Sequence, residues 1–122
     1  MLGWWIIISS QTPQERDHYD DKSAILATWE ASVGGREWID ALVSDGKATQ
    51  LLFDGYPCRY TAAAKHVFPL IQEGPPRHTA PVVIGDDYVS EGGWSTKITI
   101  HRDRIDGCPE EQMLTIDAWD QS

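Results

Sequence analysis

The sequence predicts an α+β fold: a single domain spanning residues 1–122, with an antiparallel or mixed sheet and two to three short helices packed on one of its faces. Three observations predict it. The chain opens with an apolar run, Trp4-Trp5-Ile6-Ile7-Ile8, too short for anything but a buried strand. Its middle third carries apolar residues at helical spacing. Its last third alternates apolar and polar residues, as a half-buried sheet does.

The opening run has no basic residue before Arg16 and ends at Ser9-Ser10. A secretory signal needs a positive start and a small-residue cleavage site, and a membrane span needs about twenty apolar residues. The run therefore reads as a central strand buried on both faces, and the protein as cytoplasmic. The polar stretch 11–21, which holds Pro13, reads as a loop.

In 21–33, Ile25, Leu26, Trp29 and Val33 fall on one face of a helix, with Asp20, Asp21 or Ser23 able to cap it. Gly34-Gly35 interrupts, and Trp38, Ile39, Leu42 and Val43 repeat the pattern until Gly46, placed where a left-handed C-cap belongs. The stretch 48–61 reads as a β-hairpin. Leu51, Leu52 and Phe53 lead into Asp54-Gly55, a turn dipeptide, and Tyr56-Pro57 hands over to a short return strand. Thr61 and three alanines then predict a helix that Pro69 ends near Phe68.

Beyond Gly74, residues 81–85 read as a short apolar strand. In 94–101, Trp94, Thr96, Ile98 and Ile100 alternate with polar residues, and in 113–119 Leu114, Ile116 and Ala118 oppose Thr115, Asp117 and Trp119. The charged segments 85–93 and 101–112 read as turns.

Charge narrows the functional classes. Nineteen acidic residues against ten basic ones give a net charge of −9. Residues 1–61 hold nine acids and five bases and residues 62–122 ten acids and five bases, so the surplus is global and not a tail. Such a chain is repelled by nucleic-acid phosphates and anionic membranes, and is suited to a basic protein partner. Cys58 and Cys108 show no CxxC spacing and read as free thiols.

Four constellations carry residue types capable of chemistry. Asp86, Asp87 and Glu91 could hold Mg²⁺ or Ca²⁺, but their spacing matches no EF-hand. His101-Arg102-Asp103 echoes a protein-kinase catalytic loop without any of the accompanying motifs. Cys58 with His66 lacks an orienting third group. His18, His66, His78 and His101 include no HxH or HExxH pair, so no metal or other cofactor is implied. Trp29 and Trp38 read as core residues, while Trp94 and Trp119 flank charged segments or the terminus.

In its size, acidity and lack of a catalytic signature, the chain resembles two kinds of small inhibitor. One is the immunity proteins that neutralise nuclease toxins in bacterial competition. The other is the phage-encoded inhibitors of nucleic-acid-binding defence complexes, anti-CRISPR proteins among them. The resemblance implies contact with a basic partner such as a nuclease toxin, through complementary fields. The partner-binding set expected on this reading is Asp86, Asp87, Glu91, Asp103, Asp106, Glu110 and Glu111 as phosphate mimics, with Tyr88 and Trp94 as apolar anchors. Two alternatives are a small metal-dependent hydrolase or nuclease using the loop carboxylates and His101, and a structural subunit of a larger assembly.

Overall fold

The N-terminal apolar run is the strand around which a six-stranded sheet is assembled. The structure, a computed structural model, describes residues 3–18, 21–32, 34–76, 79–84, 87–92 and 95–121, with the backbone alone for 79–84 and 87–92. In chain order the elements are β1 (Gly3–Ser9), α1 (Pro13–His18), β2 (Ile25–Ser32), α2 (Glu37–Ser44), β3 (Ala48–Leu52), β4 (Cys58–Ala63), α3 (Ala64–Val67), β5 (Thr79–Ile84), β6 (Asp87–Gly92), β7 (Ser95–Ile100), α4 (Arg102–Asp106) and β8 (Met113–Asp120). The sheet runs β3-β4-β8-β1-β2-β7, every neighbour antiparallel, and β5 and β6 pair as a separate two-stranded unit. This is an α+β single-domain arrangement, and among the described residues no helix is long and apolar enough to cross a membrane.

One face of the sheet carries the core. The registers Ile6↔Trp29, Ile6↔Ala118, Ile8↔Ile116 and Tyr60↔Ile116 put these side chains in one layer. Trp38, Ile39 and Leu42 of α2, Ala64 and Val67 of α3, and Ile71 bury against it. Each large aliphatic or aromatic group removed from water there contributes about 1.5–3 kcal/mol. The Trp29 and Trp38 rings meet at 6.0 Å, tilted by 43°. Helix α2 ends as expected: Gly46 has φ +76°, and the Lys47 amide donates to the Leu42 carbonyl at 2.8 Å, closing the Schellman motif.

Several expectations are corrected. In place of a helix over 21–33 the chain forms strand β2, Ile25–Ser32, preceded by a single 3-10 turn at Lys22–Ala24 that Asp21 caps. Trp29 satisfies the helical and the alternating period alike. Pairing with β1 and β7 decides for the alternating one, with Ala27, Trp29 and Ala31 inward. Val33 lies outside the described residues.

Thr61 pairs with Thr115 inside β4 and caps nothing, so the following helix is only Ala64–Val67 plus a 3-10 turn at Phe68–Leu70. Residues expected as loop or turn form α1, β6 and α4. In α1, the Thr12 amide donates to Glu15 Oε1 at 2.9 Å and the Glu15 amide to Thr12 Oγ1 at 3.2 Å, a capping box with Pro13 at the first helical position.

Strand β7 lies at the sheet edge and does not alternate as read. A register shift opposite Thr28–Glu30, with Lys97 at φ +52°, puts Ser95 and Ile100 in line with the inward Ala31 and Ala27.

Candidate functional site

The sheet face away from α2 and α3 holds an ionic cluster that builds one wall of a groove. Asp117, at the centre of β8, is fully buried. Its register partner Arg59 on β4 donates Nε to Oδ1 at 2.7 Å and Nη2 to Oδ2 at 3.3 Å. Arg16, delivered by the capped helix α1, donates Nε to Oδ2 at 3.1 Å and places Nη2 at the same distance. The third Arg59 nitrogen, Nη1, reaches Asp17 Oδ1 at 2.6 Å. Gln11 ties the assembly to the sheet: its Oε1 faces Arg16 Nη1 at 3.5 Å and its carbonyl accepts from Thr115 Oγ1 at 2.7 Å.

Two guanidinium and two carboxylate groups therefore cancel, and each arginine nitrogen of Arg59 is engaged. The hydrogen bond to Asp117, aided by Asp17 and opposed by burial, raises the Arg59 pKa above its ordinary value. Arg59 stays charged at every accessible pH.

Beside this cluster lies a cavity of about 540 Å³. Ile7, Arg16 and Arg59 border it from the sheet side, Leu52, Tyr56 and Pro57 from the β3–β4 hairpin, Trp119 from β8, and Asp17 from α1. The hairpin tip is fixed in place. Gly55, at φ +87°, offers its carbonyl to the Asp120 amide at 2.8 Å, and the Tyr56 amide donates to Asp54 Oδ1 at 3.0 Å. Phe53 is 74% exposed, Tyr56 63% and Trp119 37%, with Leu51 and Leu52 also exposed. An apolar surface held rigidly by an ion cluster and a tied turn is suited to binding another molecule.

The expected binding residues that the structure describes fall on three segments. Asp103 and Asp106 lie on α4 and Glu110 and Glu111 in the turn before β8, all four exposed. Glu111 faces Lys65 Nζ at 3.4 Å. Arg104 anchors α4 through the carbonyls of Lys22 and Ile25, at 2.9 and 2.8 Å, next to a smaller cavity of about 270 Å³. Asp87, Tyr88 and Glu91 lie on β6, whereas Asp86 and Trp94 are outside the described residues.

The His101 amide donates to the Leu26 carbonyl at 2.9 Å, which fastens the start of α4. Among the described residues no three His, Cys, Asp or Glu side chains gather as a metal site requires. Both cysteines are free. The Cys58 thiol meets Arg36 Nη1 at 2.9 Å, and Arg36 in turn lies 4.4 Å over the Trp4 ring.

Sequence reasoning missed Arg16, Asp17, Tyr56, Arg59 and Asp117. Only Thr12-Pro13-Gln14-Glu15, a capping-box signature, could have revealed α1 and with it the place of Arg16. No protein-family model, curated protein or solved structure significantly matches the chain.

Proposed function

We propose that this chain is an acidic protein-binding domain that neutralises a basic, nucleic-acid-handling partner in the cytoplasm by occupying its surface. The observation that carries the reading is the groove beside Tyr56 and Trp119, an exposed aromatic surface on a protein of net charge −9. Aromatic side chains at the centre of an interface carry most of its energy, whereas carboxylates act at the rim and at a distance. In this reading Phe53, Tyr56 and Trp119 anchor the partner. The exposed Asp103, Asp106, Glu110 and Glu111, with Asp86, Asp87 and Glu91, supply the field that draws it in, and Tyr88 and Trp94 serve as further anchors. A nuclease toxin and a nucleic-acid-binding defence complex both present the basic groove such a domain would fill.

The test is co-purification from the native host with the wild-type chain and with a Phe53→Ser/Tyr56→Ser variant. The reading requires a basic, nucleic-acid-handling protein in stoichiometric amount with the wild type and its loss with the variant. Capture of no such protein, or turnover of a substrate by the isolated chain, overturns it.

A further inference from the structure

Two arginines border the groove, and both are held by partners inside the protein. Arg59 spends Nε and Nη2 on Asp117 and Nη1 on Asp17, and Arg16 is drawn to Asp117 and Gln11. Their charge is spent inside the protein. The carboxylate that lines the groove is Asp17, whose side chain is 69% exposed and which meets Arg59 through Oδ1. The same groove is lined by two exposed aromatic residues, Tyr56 and Trp119, and by the apolar side chains of Leu52 and Ile7.

A π face attracts a cation, a carboxylate pairs with it, and apolar surface takes its aliphatic stem. Guanidinium suits this combination better than ammonium, because it is planar, stacks on aromatic rings and is less strongly hydrated. The chain already builds such a constellation within itself: Arg36 lies 4.4 Å over the Trp4 ring with Nη2 3.9 Å from Asp40.

Resting on the protein-binding reading above, we infer that the groove between Tyr56, Trp119 and Asp17 receives an arginine side chain of the basic partner. The guanidinium lies against the aromatic rings and pairs with Asp17, and its methylene stem packs on Leu52 and Ile7. An anionic group is disfavoured there, since the side-chain nitrogens of Arg16 and Arg59 are already engaged by Asp117, Asp17 and Gln11.

The experiment is a titration of the ¹⁵N-labelled full chain with N-acetyl-Gly-Arg-Gly-amide, and with the same peptide carrying citrulline, lysine or glutamate at its centre. The indole signal of Trp119 is assigned by its loss in Trp119→Phe. The expected result is a saturable shift of that signal with the arginine peptide, a smaller one with lysine and none with citrulline. Affinity should fall about two- to fivefold in Asp17→Asn and in Tyr56→Ala, both at exposed positions, with an unchanged amide spectrum away from the groove showing that Arg16 still holds α1 in place. Equal response to arginine and citrulline, or insensitivity to both variants, overturns the cation site, and a response to the glutamate peptide replaces it with an anion site. Failure here, with the basic partner still captured through Phe53 and Tyr56, removes the arginine pocket and leaves the protein-binding reading. Arginine binding without any basic partner does the reverse.

Discussion

Asp117 accepts Arg59 Nε at 2.7 Å across a β4–β8 register pair, and Arg16, 101 residues earlier in the chain, reaches the same carboxylate at 3.1 Å. This relationship joins a helix of six residues to the sheet face away from α2 and α3. No buried residue belongs to α1, so hydrophobic burial does not hold it there. Its position depends on the capping box at Thr12 and Glu15 and on the ionic contacts of Arg16 and Asp17. The groove depends on that position, because Arg16 and Asp17 border it.

Removing Asp117 should therefore be costly. Asp117→Ala leaves two guanidinium groups, each on a side chain only 7% exposed, without their shared counter-charge. A broken buried pair of this kind costs about 3–5 kcal/mol. Asp17→Ala removes a largely exposed partner and should cost about 0–1 kcal/mol. Urea denaturation of the two variants checks this, and equal losses would falsify the assignment of α1 docking to Asp117.

The parts of the fold legible in the sequence are those where one period dominated. Ile6 and Ile8 in a short apolar run, Trp38, Ile39 and Leu42 ahead of Gly46, and Leu114, Ile116 and Ala118 in β8 all lie as the spacing implied. Strand β2 was not legible, because Trp29 fits both periods and only its pairing with Ile6 resolves them. The ionic cluster was hidden for a different reason. Asp117 occupies the polar side of an alternating strand, where solvent is the ordinary expectation, and its partners lie 58 and 101 residues away. Nothing local to β8 signals that its second face is covered.

Tyr60 gives the protein an alkaline limit. Burial, reinforced by Asp40, pushes its phenol well above the ordinary value near 10, and its hydroxyl donates to Asp40 Oδ1 at 3.0 Å. Since the folded state holds this proton more tightly than the unfolded state, stability is unaffected below the unfolded pKa and falls as pH rises beyond about 10. Tyr60→Phe should lose about 0.5–1.5 kcal/mol at neutral pH through the missing hydrogen bond. Its stability should then decline less steeply than that of the wild type above pH of about 10. Parallel slopes in chemical denaturation across that range would show that Tyr60 is not the group responsible.

Gly35 and Gly3 both crowd Ala31, but in different ways. A Cβ on Gly35 would stand 2.4 Å from the Ala31 Cβ, whereas a Cβ on Gly3 would stand 2.4 Å from the Ala31 carbonyl oxygen. Either alanine substitution should cost about 1–3 kcal/mol through overpacking. Adding Ala31→Gly should recover part of the loss in the Gly35→Ala background and none in the Gly3→Ala background, because the carbonyl remains. Melting temperatures of the two double variants decide the matter.

The field and the groove should act on different rates. Asp103, Asp106 and Glu110 are exposed on or just after α4, and reversing all three to lysine, each worth two charges, moves the net charge from −9 to −3. Surface changes of this kind alter stability by about 0.5 kcal/mol or less each. Weakened attraction should slow association with the basic partner and leave dissociation nearly unchanged, with the deficit greatest at low salt, where screening is weakest. Trp119→Ala should instead speed dissociation at any salt concentration, because it removes contact area and leaves charge untouched. Surface plasmon resonance with the captured partner separates the two effects. An association rate indifferent to both the triple reversal and ionic strength would eliminate the acidic field as the force that brings the partners together.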